Sequence, residues 1–302
     1  MVMELRHLQY FVAVAEEGTF TRAAARVHVA QPGVSAQIRQ LERELGHQLL
    51  DRSGRSVRLT EAGAAVLLHA RAALSAAARM RDVADELAGL LRGHLTIGTV
   101  TSINSDQLDL PTFLAEFHRD HPEVEITLTT DNSEQLISLL RVGRLDLAVL
   151  GLGRALPRDL DLHVITSEPL VAAVAADHPL ARRAAVTLAA LVRYPLISLP
   201  RGTGLRGSLD DACAGFALTP DIRFEAADPR VLADLAARGF GAAVVPRSIT
   251  DARQEQLVAV PITRPALHGR IALAWHATDA TSAAARELIR RAKTIPGVPS
   301  RT

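Results

Sequence analysis

The sequence predicts an α/β protein with an N-terminal all-α helix-turn-helix, a long linker helix and a larger two-lobed α/β domain. Three observations predict this fold class. Apolar residues recur at helical spacing through the first sixty residues, and a long alanine-rich stretch follows them. After Gly93, strand and helix patterns alternate. At 302 residues the chain is long enough for two domains that each close a core.

Composition excludes several classes of protein. The 34 Lys and Arg nearly balance the 33 Asp and Glu, so a DNA-binding function must rest on a local motif. Cys213 is the single cysteine and can form no internal disulfide. We find no apolar run long enough for a membrane span, and Met1 to Tyr10 carries charges before any apolar stretch, unlike a secretory signal. We therefore expect a cytoplasmic protein with no membrane partner.

Three helices are predicted before residue 46. The first has its stripe at Leu8, Phe11, Val12 and Ala15 and ends at Gly18. Thr21 is expected to cap a second helix over residues 22–28. The third starts at Gln31-Pro32, where proline is tolerated, and ends at Gly46. Its buried stripe consists of Val34, Ile38, Leu41 and Leu45. The short helices and the tight turn between them indicate a helix-turn-helix.

The opposite face of the third helix is polar and rich in donors. A helical wheel places Pro32, Ala36, Arg39, Gln40 and Arg43 outward, with Ser35 and Gln37 flanking them. Acidic residues are missing from its first turns, whereas a merely solvated helix more often mixes both charges. A DNA-reading face is therefore favoured over the alternative of a simple exposed surface.

A hairpin with three arginines follows. Residues 48–51 and 56–59 flank the turn Arg52-Ser53-Gly54-Arg55, and Arg58 supplies the third cation. This pattern predicts a wing whose cations meet phosphates or a minor groove.

The helix expected from Thr60 to about Leu91 carries a seam of small residues. Val66, Ala73, Met80 and Leu87 recur every seven residues, with Ala70, Ala77 and Ala84 between them. Such a seam predicts a dimer, and the alternative is a helix packed on its own chain.

Two sets of alternating strands and helices are expected after Gly93. The first set has strands at 94–99, 124–129 and 146–150 and helices at 106–119 and 134–142. The second has strands at 170–175, 196–198, 221–224 and 242–245 and helices at 205–214 and 229–238. A strand at 269–276 and a helix at 282–293 return to the first lobe. Such a path implies two crossovers and a cleft between the lobes, where open α/β sheets bind ligands.

The chain resembles the LysR-type transcriptional regulators. The resemblance is most specific in LQYFVAVAEEGTF (8–20), Ala23-Ala24, QPGVSAQIRQLERELG (31–46), Leu49, Asp51-Arg52 and LTEAG (59–63). It continues more loosely through FLAEF (113–117), GRLDLA (143–148) and GFGAAVVP (239–246). It implies a winged helix-turn-helix at 1–60, a dimerising linker helix at 61–92, and an effector domain at 93–302 built like periplasmic solute-binding proteins. Within that domain lobe I spans 93–166 and 266–302, and lobe II spans 167–265.

The resemblance also implies partners and site residues. The partners are double-stranded DNA with an interrupted palindromic operator, a small-molecule effector, RNA polymerase, and further copies in a dimer or dimer of dimers. The DNA contacts carry over onto Gln31, Pro32, Ser35, Gln37, Arg39, Arg52 and Arg55. Ala36 departs from the family, where many members carry a polar residue. That position is left with at most a methyl contact to thymine.

The effector contacts carry over onto Thr101, Ser102, Thr129, Gly202 and Thr203. Hydroxyls and the free N–H groups of a helix N-terminus suit an organic anion such as a carboxylate. Arg201 would add positive charge. The alternatives are that Arg201 is an ordinary exposed loop arginine and that the neighbouring glycines form a simple turn.

No enzymatic apparatus is recognisable in the sequence. It contains no nucleophile elbow, P-loop or dinucleotide-binding glycine motif, and the eleven histidines show no HxxxH or HExxH spacing. We expect no enzyme activity, no cofactor and no metal. Cys213 suggests a peroxide-sensing relative, but such sensors need a second cysteine, so a buried inert thiol is favoured. A transport solute-binding protein and an architectural DNA binder remain as alternative functions.

Overall fold

A computed structural model describes residues 3–54, 56–87, 91–101, 109–153, 156–277 and 282–295. The chain divides into two compact units. One consists of Met1–Leu91 with Arg141–Arg144, and the other of Arg92–Leu140 with Leu145–Thr302. No helix in the described part of the chain has the length and apolarity needed to cross a membrane.

The N-terminal unit is a helix-turn-helix followed by a small hairpin and a long helix. Its elements are α1 (Leu5–Glu17), α2 (Phe20–Arg26), α3 (Gln31–Leu45), β1 (Leu50–Asp51), β2 (Arg58–Leu59) and α4 (Glu61–Leu87). Phe11, Ile38 and Leu41 are fully buried in its core, so the predicted apolar stripes of α1 and α3 face each other over most of their length. Leu45, which was predicted to end the buried stripe of α3, is 36% exposed. Gly18 and Gly46 end these helices with φ of 66° and 74°, a conformation that favours glycine.

The predicted cap of the second helix is wrong by two residues. Thr19, not Thr21, accepts a hydrogen bond from the Arg22 N–H, and the helix ends at Arg26. A Thr at position 19 reaches the third N–H of this helix, which is the geometry that a helix cap requires.

Over the first turns of α4, the seam of small residues packs against the core of its own unit. Ala70 is 2% exposed, and Val66 and Ala73 pack against the same core, as the alternative interpretation expected. Met80, farther along, is 71% exposed. The structure does not describe the side chains of Ala84 and Leu87. Pairing of two α4 helices through the C-terminal end of the seam therefore stays a prediction.

The C-terminal unit is a two-lobed α/β domain. Its first part runs β3 (Gly93–Thr99), α5 (Leu110–Asp120), β4 (Val124–Thr130), α6 (Ser133–Arg141), β5 (Leu147–Leu152) and β6 (Leu160–Val174). The chain continues through β7 (Val186–Thr187), α7 (Leu188–Leu191), β8 (Leu196–Ser198), α8 (Gly204–Gly215), β9 (Ile222–Glu225), α9 (Pro229–Ala237), β10 (Ala242–Pro246) and α10 (Arg247–Asp251). It ends with β11 (Val258–Thr263), β12 (His268–His276) and α11 (Ala283–Ala292).

Strand β6 joins the two lobes. The strand order is β4-β3-β5-β12-β6-β10-β8-β9, with β11 also paired to β6. Residues 160–169 of β6 pair with β12, and residues 170–174 pair with β10 and β11. The backbone therefore passes from one lobe to the other within β6 and returns between β11 and β12.

The predicted helix over 106–119 begins at Leu110, capped by Asp109, with residues 106–108 outside the described range. The structure adds β7, α7, α10, β11 and the first ten residues of β6, which were not predicted from the sequence. Pro169 and Pro261 stand inside β6 and β11, and a proline within an apolar run argues against a strand. Both are accommodated because Pro169 lies where β6 changes lobe and Pro261 is exposed.

Candidate DNA-binding and effector sites

The outer face of α3 is exposed and carries donors. The exposed side chains are Gln31, Pro32, Ala36, Arg39 and Arg43. Pro32 occupies the first turn, where its missing N–H leaves no hydrogen bond unmade. The face can therefore present amide and guanidinium groups to base edges. Gln40, which the helical wheel also places outward, is half-buried instead.

Two predicted contact residues are less accessible than the wheel indicated. Ser35 is 8% exposed, and its Oγ accepts a hydrogen bond of 2.7 Å from Nη1 of Arg39. Gln37 is half-buried, and its Oε1 is buried without a hydrogen-bond partner among the described residues. Ser35 thus holds the Arg39 guanidinium in one orientation, and Arg39 is the longer side chain presented outward.

The wing is a two-stranded antiparallel hairpin. Leu50 pairs with Leu59 and Asp51 with Arg58, so the strands are shorter than predicted. Arg58 is exposed, and Arg55 lies outside the described residues. Helix α4 starts beside the wing because the Thr60 hydroxyl donates to the Gln48 carbonyl and its Oγ1 accepts from the Gly63 N–H.

Arg52 is not the free wing cation that the sequence predicted. Its Nη2 lies 2.7 Å from Oε2 of Glu42, and its guanidinium sits 5.2 Å from the centre of the Phe20 ring. Both partners belong to the helix-turn-helix, so Arg52 holds the wing against these helices. A phosphate would have to compete with the Glu42 carboxylate for it.

Glu42 is a site residue that sequence reasoning missed. Its Oε1 accepts hydrogen bonds from the N–H groups of Leu49 and Leu50, at 3.0 and 3.2 Å. Together with the Arg52 ion pair these bonds attach α3 to the first strand of the wing. The available signal was an acid beside Leu41 on the border of the buried stripe, where an unpaired carboxylate would be costly.

The predicted effector loops follow neighbouring parallel strands. Strand β3 pairs in parallel with β4, with Gly98 opposite Thr129, so their carboxyl ends share one edge of the sheet. Thr101 is exposed just beyond β3, and Thr129 is half-buried near the end of β4. Ser102 lies outside the described residues.

The start of α8 differs from the predicted open anion site. The Thr203 hydroxyl donates to the Pro200 carbonyl at 2.8 Å and accepts from the Arg206 N–H, so it caps the helix. The Gly202 carbonyl accepts a 3.0 Å hydrogen bond from the Glu134 N–H. The Thr203 hydroxyl is therefore occupied by its own chain, and this end of α8 meets the start of α6.

Gly204 makes a close approach between the lobes. A Cβ at this position would overlap the Gly151 backbone in β5, and Gly151 in turn donates its N–H to the Ser133 hydroxyl. Nothing in the local sequence around Gly204 indicates this close approach. Only glycine fits at position 204 because a helix of one lobe comes close to a strand of the other lobe there.

Arg206 is a buried cation committed to structure. Its Nε binds Asp210 at 2.9 Å, and its Nη1 binds Glu225 at 2.5 Å and the Leu199 carbonyl. Burial acts to lower the pKa of Arg206, but the hydrogen bonds to Glu225 and Asp210 outweigh it and raise the pKa above its usual value. This guanidinium fastens α8 to the edge strand β9 and is not open to an effector.

Cys213 is a buried thiol. It is 2% exposed in the core of the second lobe, and burial, helped by the negative charge of Asp210, raises its pKa. A thiol that stays protonated and covered is a poor nucleophile. Over the described residues no three His, Cys, Asp or Glu side chains are grouped as a metal site would need.

Comparisons with known proteins place the chain in a family. Residues 5–64 match the family model of the bacterial regulatory helix-turn-helix protein, lysR family, and residues 88–295 match the LysR substrate binding domain. The HTH-type transcriptional regulator YnfL of Escherichia coli is 38% identical over 293 residues, which cover 95% of this chain and 96% of YnfL.

Solved structures agree over nearly the whole chain. A full-length OxyR variant from Pseudomonas aeruginosa has a TM-score of 0.76 at 26% identity, with 100% of both chains covered. Full-length CbnR complexed with its target DNA has a TM-score of 0.58 at 26% identity, covering 96% of this chain and 99% of CbnR. The two-part architecture of this chain is thus shared with regulators of known structure.

Proposed function

This chain belongs to the LysR family of DNA-binding transcriptional regulators, which carry an effector-binding domain and are not enzymes, and from this premise we propose how it works. It binds an interrupted palindromic operator as a dimer or dimer of dimers in the cytoplasm. A small organic anion between the lobes changes its contact with DNA and RNA polymerase. Membership excludes the two alternatives, because a transport protein needs no helix-turn-helix and an architectural DNA binder needs no effector domain.

The exposed donor-rich face of α3 is the observation that carries this function. Arg39 offers paired donors of the kind that bind a guanine edge in the major groove, and Gln31 offers a donor and an acceptor of the kind that bind an adenine edge. Pro32, Ser35 and Gln37 lie beside them, with Ser35 orienting Arg39. On the wing we assign the phosphate or minor-groove contact to Arg55, and Arg52 becomes a support.

The effector region is proposed at the carboxyl edge of β3 and β4. Thr101, Ser102 and Thr129 supply hydroxyls, and Gly202 and Thr203 at α8 supply the second lobe's side through their backbone. Support comes from the shared sheet edge and from the contact of Gly202 with Glu134 across the lobes. A ligand there shifts the protein only by its differential affinity for two lobe arrangements.

Oligomerisation is supported by exposed apolar groups on both edges of the sheet. Leu128 on edge strand β4 is 52% exposed, and Phe224 on edge strand β9 packs against Phe240 while both remain exposed. Unpaired edges with apolar side chains invite pairing with another chain. Met80 on α4 is a further exposed apolar residue.

The function is tested by footprinting on DNA that the protein itself enriches from chromosomal fragments. A panel of small organic anions is then added at increasing concentration. We expect one anion class to change the protected region saturably, and Thr129→Val to weaken that response while DNA affinity without effector stays. A footprint that no member of the panel changes would contradict the anion proposal.

Arg52 and Arg55 should differ in their effect on salt dependence. Arg55→Ala should lower the slope of log affinity against log salt concentration by about 0.9, because one phosphate contact is lost. Arg52→Ala should lower affinity several-fold through a misplaced wing and leave the slope unchanged. DNA titrations from low to high salt measure both values. An equal fall in slope for the two variants would show that Arg52 also meets phosphate.

Peroxide should leave this regulator unaffected. With Cys213 covered and its pKa raised, hydrogen peroxide should change DNA affinity less than about twofold. Cys213→Ala should behave like the wild type in the same titration. Rapid reaction of the native thiol with a thiol reagent, as fast as in denatured protein, would overturn this expectation.

A further inference from the structure

A largely buried ion pair joins the linker helix α4 to the helix-turn-helix. Oε1 of Glu16, in the last turn of α1, accepts a 2.8 Å hydrogen bond from Nη2 of Arg71 on α4. The two side chains are 13% and 11% exposed. Oε2 of the same carboxylate accepts a 2.7 Å hydrogen bond from Nη1 of Arg26 on α2. One carboxylate therefore holds three helices together.

Glu16 is charged and committed to these contacts. Burial acts to raise its pKa, but the hydrogen bonds from Arg26 and Arg71 outweigh burial and lower the pKa below its usual value. Arg144, which belongs to the same unit, is half exposed, and its Nε lies 3.7 Å from Oε1. The close, directional contact to Oε1 is therefore the one from Arg71.

This contact discriminates between positions of α4. Nε of Arg71 is buried and has no hydrogen-bond partner among the described residues. Because an unpaired buried cation is costly, the position of α4 that pairs Arg71 with Glu16 is favoured over neighbouring positions. The adjacent apolar contact through Ala70 and Ala73 has no comparable directional preference.

Two anchors fix the direction in which α4 leaves the helix-turn-helix. The first is at its start, where the Thr60 hydroxyl donates to the Gln48 carbonyl. The second is Arg71, about 16 Å farther along the helix. Helix α4 continues to Leu87, about 24 Å beyond Arg71.

The length beyond Arg71 amplifies any change of angle in the proposed dimer. If two α4 helices pair over this length, a tilt of about 10° displaces each helix-turn-helix by about 4 Å. One base-pair step of B-DNA is about 3.4 Å. The spacing between the half-sites of an operator follows from the geometry of the dimer that binds them.

We propose that the Glu16–Arg71 pair fixes the angle between α4 and the helix-turn-helix and thereby selects the spacing between operator half-sites. Both are positioning residues, which act through the direction of α4. The proposal rests on the proposed binding of an interrupted palindromic operator by a dimer.

The test measures the affinity of the full-length protein for duplexes that carry two half-sites of the sequence enriched by the wild type, at spacings that differ by single base pairs. A further duplex carries one half-site. Arg71→Met removes the charge and keeps an unbranched side chain. Arg71→Lys keeps a charged donor, because the contact to Oε1 uses the single nitrogen Nη2. Arg22→Met is the matched control, because Arg22 pairs with Glu17 on α1 and removes an ion pair that does not involve α4.

The wild type should prefer one spacing over its neighbours by about tenfold or more. Arg71→Met should lower that preference to about threefold or less, while affinity for the single half-site changes less than about twofold. Arg71→Lys should restore most of the preference, and Arg22→Met should retain it. Glu16→Gln, which removes the charge and keeps an acceptor, should broaden the preference as Arg71→Met does and replaces that variant if it does not fold.

Three results would contradict the proposal. They are a wild-type spacing preference in the folded Arg71→Met or Glu16→Gln variant, an equal loss of preference in Arg22→Met, and an equal loss of affinity for the single and the paired half-sites, which would indicate a role confined to folding. A wild type that binds one half-site but prefers no spacing would instead reject the proposed dimeric operator binding, so the two failures are distinguishable.

Discussion

Replacing Gly204 by alanine is expected to destabilise the C-terminal unit by about 3 kcal/mol, at the upper end of the cost of overpacking. The added Cβ would meet backbone atoms of Gly151 and Leu152, which cannot rotate away as a side chain would. The first turn of α8 must then move away from β5. Thermal unfolding measures the loss, and footprinting with effector should show a lost response because the lobes can no longer meet at this point.

Gly207→Ala is the matched control in the same helix. Its Cβ would lie 3.8 Å from the nearest atom, Cα of Gly153, which is ordinary contact. Alanine favours a helix over glycine by about 1 kcal/mol, so this variant should be as stable as the wild type or slightly more stable. Equal stability of the Gly204 and Gly207 variants would show that the lobes do not meet at Gly204.

Gly63→Ala should be the most damaging single-methyl change in the N-terminal unit. Gly63 stands in the first turn of α4, where its added Cβ would overlap the carbonyl group of Leu49 at the entrance to the wing. We expect a loss of about 3 kcal/mol in the free energy of unfolding. A displaced wing should also weaken binding to every DNA sequence, which titration against random-sequence duplex measures.

Gly33→Ala serves as its control for stability. The new Cβ would lie 3.3 Å from Cγ1 of Val29, the end of a side chain that can shift. This variant should unfold near the wild-type temperature. If Gly63→Ala also unfolded near the wild-type temperature, the close contact between α4 and the carbonyl group of Leu49 would be contradicted.

These glycines show which parts of the site a sequence can predict. Periodicity located α3, because its stripe of Val34, Ile38 and Leu41 must face a core, and Gly46 ends it. The polar face opposite then followed from geometry alone. Periodicity contains no information on which backbone approaches Gly63 or Gly204, since those neighbours are distant in sequence.

The pairing of charged side chains was equally invisible from the sequence. Counting arginines on the wing suggested free cations, yet Arg52 is paired with Glu42, ten residues earlier. Similarly, hydroxyls near a helix start suggested ligand donors, yet the Thr203 hydroxyl caps α8. Local sequence gives the type of group, and only tertiary contacts decide whether that group is available.

The strands missed in the sequence have a comparable cause. Strand β6 runs for 15 residues because each half pairs in a different lobe, a length that no single apolar run indicates. Proline at 169 and 261 reads as a break, although an exposed position or a lobe crossing tolerates it. Tertiary position thus overrode a reliable local signal.

Selection from a random-sequence duplex library tests the central claim most directly, because it asks whether the outer face of α3 reads DNA. Wild-type protein and Arg39→Ala are used in parallel, and the recovered DNA is sequenced. We predict that the wild type enriches an interrupted inverted repeat. Arg39→Ala should lose preference at one base pair of each half-site, at a cost of about 1–3 kcal/mol per contact. Recovery of the same motif at the same strength by both proteins would contradict base readout by α3, and recovery of no motif by the wild type would contradict sequence-specific binding.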